Sequence, residues 1–70
     1  MNNMKKARII AGYNQVQVAD KMDVTNVTVS RWETGQTKPS IDDLVVLSKM
    51  YKCSTDYLLG VTDDYKSIKD

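Results

Sequence analysis

The sequence predicts an all-α fold, a bundle of five short helices closed around one small core. Three observations predict it. Apolar residues recur at spacings of three and four within short segments, the repeat that collects side chains on one side of a helix. Those segments are opened by Asn, Thr or Ser and mostly closed by Gly, and the connections between them are roughly two to six residues long. No stretch alternates apolar with polar residues, so no strand is expected.

The first helix runs to about Ala11, capped by Asn2 or Asn3, with Met4, Ala7, Ile10 and Ala11 on one face. Gly12 supplies the left-handed residue that ends it. Tyr13 connects and turns its ring inward. Asn14 caps the second helix, Gln15 to Met22, whose Val18, Ala19 and Met22 make a core-facing stripe. Asp23 stands at a sharp turn, where Asp tolerates left-handed geometry, and Val24 plugs that turn into the core.

Thr25 caps the third helix, Asn26 to Thr34. Val29 and Trp32 point inward from it, leaving Asn26, Val27, Ser30 and Arg31 outward and Thr28 at the edge. Its β-branched residues favour a helix poorly in isolation, so tertiary packing through Trp32 must hold it. Gly35 ends it, and Gln36, Thr37, Lys38 and Pro39 form an exposed polar loop. Ser40 and Asp43 resemble a capping box opening a fourth helix to about Tyr51, with Leu44, Leu47 and Tyr51 inward. Ser54 caps a short fifth helix, Thr55 to Leu59, closed by Gly60. Residues 1–60 thus form one domain, and 61–70 a tail that is either disordered or docks in a dimer.

Composition removes several function classes. There is no histidine, so neither a His-based metal site nor a Ser-His or Cys-His nucleophile can be assembled. With no phosphate loop either, no enzyme, cofactor or metal is expected; the acidic pairs Asp42-Asp43 and Asp63-Asp64 read as solvated helix-start and tail charges. The single cysteine, Cys53, excludes an internal disulfide and reads as an inert core thiol in a cytoplasmic protein. No apolar run approaches the roughly 18 residues of a membrane span, so no membrane partner is expected. Net charge is only +1, but it divides: residues 1–40 carry six bases against three acids, and residues 41–70 four against six. The basic front is suited to phosphate.

The ordered blocks Gln15-Val-Gln-Val-Ala19, Val24-Thr25, Val29-Ser-Arg-Trp-Glu33, Gly35, Lys38-Pro39-Ser40 and Asp56-Tyr-Leu-Leu-Gly60 carry a family likeness. From about Met4 to Gly60 the chain resembles the helix-turn-helix domains of the Cro/C1 (XRE) family of phage and bacterial repressors. The resemblance implies a lambda-repressor-like bundle whose second and third helices form the helix-turn-helix. It implies that Gln15 binds a phosphate and braces the recognition helix, and that Asn26, Val27 and Arg31 meet base edges. It further implies that Asn14, Thr28 and the loop Gln36 to Lys38 touch the DNA backbone, and that Arg8 and Glu33 form a buried ion pair. Asp23 and Lys52 stand where the family usually has glycine.

The chemistry of the residues agrees with those roles. Arg31 can donate two parallel bonds to guanine O6 and N7, Val27 can meet a thymine methyl, and Asn26 can pair with adenine N6 and N7. Gln15 brings amide donors to a helix N-terminus, where backbone N–H groups and the dipole already favour an anion. Asn14, Thr25, Thr28, Ser30, Gln36, Thr37 and Lys38 complete a phosphate-contacting set that fixes register without reading sequence. Arg8 lies between Ala7 and Ala11, which favours the salt bridge to Glu33 over a DNA contact.

The function expected is sequence-specific binding of a double-stranded DNA operator by a transcriptional repressor. Few base contacts per domain call for a homodimer, with Tyr57, Leu59, Val61, Tyr65 and Ile68 as its surface. Seventy residues leave no room for a sensing domain, so control would fall to concentration, overlapping sites or a protein antagonist. The alternative is a protein-interaction module of the same fold, using Ile9, Val16, Val27 or the tail.

Overall fold

A computed structural model describes residues 2–65. The helices are α1 (Met4–Ala11), α2 (Gln15–Met22), α3 (Asn26–Thr34), α4 (Ile41–Tyr51) and α5 (Thr55–Leu59), and no strand occurs among the described residues. Side-chain caps set four of the starts. Asn14, Thr25, Ser40 and Ser54 each accept from the N–H three residues on. At α2 the box is complete, since Gln17 accepts in return from the Asn14 N–H at 2.8 Å. At Ser40 only the first half of such a box forms among the described residues. Every helix ends on a left-handed residue: Gly12, Gly35 and Gly60, and also Asp23 (φ 58°) and Lys52 (φ 57°). At the last two, the Cβ crowding that glycine avoids costs about 1–2 kcal/mol each.

One core forms from Met4, Ala7, Val18, Ala19, Val29, Trp32, Leu47, Tyr51, Cys53, Tyr57 and Leu58, drawing on all five helices. Tyr13, Met22, Val24 and Leu44 pack around it. Burial raises the pKa of the Cys53 thiol above its ordinary value, and that of the Tyr51 hydroxyl more strongly, with the Glu33 charge adding to the latter.

Four expectations need correction. Ile10 is 58% exposed, and Arg8 takes the inward place in α1 beside Met4 and Ala7. A charged group can occupy that position because Glu33 neutralises it, which apolar spacing alone does not reveal. Asn3 holds the α1 cap position without a side-chain cap bond; its Nδ2 donates instead to the Tyr57 carbonyl, while Asn2 Oδ1 accepts from the Met4 N–H. Pro39 is buried, so the exposed part of the loop is Gln36, Thr37 and Lys38. Lastly, Tyr57 does not offer a dimer surface, and Tyr65 is half-buried against it. Tyr57 is in the core, Tyr65 meets it edge to face at 5.4 Å, and the Tyr65 hydroxyl donates to the Tyr51 carbonyl at 2.9 Å. Ile68 lies outside the described residues.

Candidate nucleic-acid interface

The interface is built on α3, which packs chiefly on α2 and more lightly on α1. Val29 and Trp32 are its buried side chains. At about 100° per residue, Asn26, Ser30, Thr34, Val27 and Arg31 fall within an arc of roughly 140° on the opposite side. Asn26, Arg31 and Thr34 are exposed, Val27 is 50% exposed, and Ser30 is half-buried. Asn26 to Arg31 covers about 7.5 Å of helix axis, on the order of two base-pair steps.

Orientation of that arc is fixed from beneath by a polar cluster. Arg8 Nε donates to Glu33 Oε2 at 2.6 Å and Nη2 to Oε1 at 3.3 Å, with the two side chains 10% and 4% exposed. Arg8 Nη1 also donates to the Tyr13 carbonyl at 3.0 Å. Gln15 Nε2 donates to Glu33 Oε1 at 3.0 Å. A primary amide has two N–H donors, so Gln15 can brace α3 with one and reach a phosphate with the other. The cluster joins α1, the start of α2 and the end of α3 through one carboxylate.

The other candidate phosphate ligands divide by what already engages them. Asn14 spends its Oδ1 on the Gln17 N–H, leaving its amide nitrogen as the group suited to a phosphate oxygen. The Thr25 hydroxyl caps α3 and lies 3.1 Å from that of Thr28, so a bond to phosphate there extends a pair already made. Gln36, Thr37 and Lys38 are exposed, and the N–H groups of Gln36 and Thr37 both donate to the Arg31 carbonyl at 3.0 and 3.3 Å. The loop is thereby tied to the backbone of a candidate base-reading residue. Thr34, not among the residues singled out from the sequence, shares the exposed arc and returns its hydroxyl to the Arg31 carbonyl. Its spacing of seven from Val27 was the signal available.

The helix-turn-helix family model matches residues 4–58. The chain belongs to that family. It is 44% identical over 57 residues to the HTH-type transcriptional regulator ImmR of Bacillus subtilis (strain 168), covering 81% of this chain and 45% of ImmR. It is 42% identical over 45 residues to the repressor protein C2 of Salmonella phage P22, covering 64% of this chain and 21% of C2. With the HTH-type transcriptional regulator DicA of Escherichia coli (strain K12), identity is 33% over 52 residues, 74% of this chain and 38% of DicA. The chain therefore spans less than half the length of each. The resemblance to Cro/C1-type repressors is borne out by these matches.

Proposed function

We propose that this chain binds double-stranded DNA sequence-specifically and regulates transcription as a repressor of phage or prophage type. The observation that carries this function is the bare outer arc of α3. Asn26, Val27 and Arg31 lie together in solvent on a helix whose other side is locked to the domain by Trp32 and Glu33. In the major groove Arg31 pairs with guanine, Val27 covers a thymine methyl and Asn26 reads adenine. Asn14 and Gln15 at the start of α2, with Thr25, Thr28 and Ser30, meet one backbone, and Gln36, Thr37 and Lys38 the flanking phosphates.

Each good bidentate contact discriminates by about 1–3 kcal/mol, whereas specific binding exceeds non-specific binding by roughly 4–10 kcal/mol. Two copies on a symmetric operator close that gap, with half-sites about 10 bp apart. Leu59 (43% exposed) and Val61 (73%) are the apolar side chains near the end of α5 left for such a dimer. We assign reading of DNA to residues 1–60, place the protein in the cytoplasm, and leave its control to abundance, site overlap or a protein antagonist. No helix among the described residues is long and apolar enough to cross a membrane.

Selection of duplexes from a random-sequence pool, followed by salt titration, tests the function. The expected result is a recovered two-fold-symmetric site whose affinity falls with salt by about 0.9 in log–log slope per phosphate neutralised. Failure to hold any duplex at low salt would overturn it.

A further inference from the structure

We infer that Asn2 is a positioning residue for DNA reading: its side-chain amide fixes the last turn of α3 and the loop of residues 36–38. This inference rests on the DNA-binding function proposed above. Asn2 Nδ2 donates to the Trp32 carbonyl at 2.9 Å, thirty residues away, and its Oδ1 accepts from the Met4 N–H at 3.0 Å. The next residue is pinned to α5, since the Asn3 N–H donates to the Leu58 carbonyl at 3.1 Å and its Nδ2 to the Tyr57 carbonyl at 2.9 Å. A short N-terminal segment therefore links the end of α3 to α5, two helices that share little direct packing.

The site of the tie explains its reach. The Trp32 carbonyl also accepts from the Gly35 N–H, and the preceding carbonyl, that of Arg31, accepts from Gln36, Thr37 and the Thr34 hydroxyl. Behind the loop lies an open cleft of about 320 Å³, with Asn2, Met4, Thr37, Lys38, Pro39 and Leu59 among its lining residues. Thr37 and Lys38 border this open space, and the hydrogen bonds at the α3 terminus hold their backbone relative to Arg31. Asn2 supplies the one that reaches across from the N-terminal segment.

The test compares Asn2→Ser with Asn3→Ser in the 70-residue chain. Serine at position 2 keeps an acceptor for the Met4 N–H but is too short to reach the Trp32 carbonyl. Amide hydrogen exchange at Gly35, Gln36 and Thr37 is expected to quicken roughly threefold to tenfold in Asn2→Ser, the loss of one hydrogen bond. Exchange at Val18 and Leu47, which reports global opening, should stay unchanged, and Asn3→Ser should leave 35–37 at wild-type rates. On the duplex recovered by the wild-type chain, Asn2→Ser should lose affinity by about threefold to tenfold. That loss should largely vanish in a Lys38→Ala background, because the two residues act through one loop. Unchanged exchange at 35–37, equal quickening in Asn3→Ser, or undiminished duplex affinity in Asn2→Ser would each overturn this role while wild-type binding stands. Failure of the wild-type chain itself to bind any duplex would remove the DNA-binding function, and this role with it.

Discussion

Helices α3 and α4 are held in the same small domain by different forces. Eleven-residue α4 sinks Leu47 and Tyr51 into the core and places Asp42 and Asp43 at the positive end of its dipole. Apolar residues remain even on its outer side, at Ile41, Val45 and Val46. Nine-residue α3 buries only Val29 and Trp32, is rich in residues that favour helices poorly, and turns a mostly polar arc outward. It is steadied by directional bonds: Arg8 and Gln15 on Glu33, and Asn2 on Trp32. A helix that leaves so much of its circumference bare has little apolar area to fix its rotation about its own axis. Bonds with defined partners do that instead.

Experiments can break or sharpen that contrast. The largest effects should come from the apolar anchors: Trp32→Ala is expected to cost about 3–5 kcal/mol and Leu47→Ala about 2–5 kcal/mol in denaturant unfolding. Loss of only a few tenths in Trp32→Ala would mean that the polar ties alone hold α3. Next, Arg8→Met should also cost about 3–5 kcal/mol, since it strands the buried Glu33 carboxylate. An Arg8→Met/Glu33→Leu double variant should recover much of that stability yet bind its operator less selectively, because Gln15 loses its partner. Full selectivity in the double variant would show that the ion pair does not set the orientation of α3.

Smaller effects follow on the exposed arc. Arg31→Ala should leave unfolding unchanged and remove about 1–3 kcal/mol of preference at one base pair, read by affinities for single-substituted duplexes. Lys38→Ala should weaken all duplexes alike and lower the salt slope by about 1. Equal losses across sequences in both variants would erase the division between reading and positioning residues.

The packed half should also respond to alkali. Cys53 and Tyr51 have ordinary values of 9.0 and 10.0, and both are raised in the folded chain by burial. The unfolded chain therefore loses these protons first, so the stability present below about pH 9 should fall as pH rises through 9–10 and beyond. Denaturant midpoints measured across that range check the sign, and Cys53→Ala should delay the onset. Smallest of all, Ile41→Gln on the outer side of α4 should shift unfolding by less than about 0.5 kcal/mol.

The elements were legible in the sequence because their signals are local. Asn14, Thr25, Ser40 and Ser54 start helices through bonds three residues long, and Gly12, Gly35 and Gly60 end them without a Cβ to crowd. Even Asp23 and Lys52, without glycine's freedom, hold the left-handed geometry that their places between helices demand. The outward arc was legible too, since Val29 and Trp32 fix which side of α3 faces inward and the helical repeat does the rest. Position along the chain says less about partners distant in sequence. Asn2 and Asn3 look like helix caps, and Ile10 looks like a core residue, until the fold brings up Trp32, Tyr57 and Glu33.

What the sequence by itself determined is thus where each helix starts and stops and which side of α3 is bare. Caps, glycines and apolar spacing act within a turn or two of the chain. Only the tertiary structure decided that Ile10 stays exposed, that Tyr65 packs back against Tyr57, and that two N-terminal asparagines span from α3 to α5. Those outcomes rest on hydrogen bonds and charge pairs between residues 14 to 54 positions apart, whose partners meet only once the helices have packed.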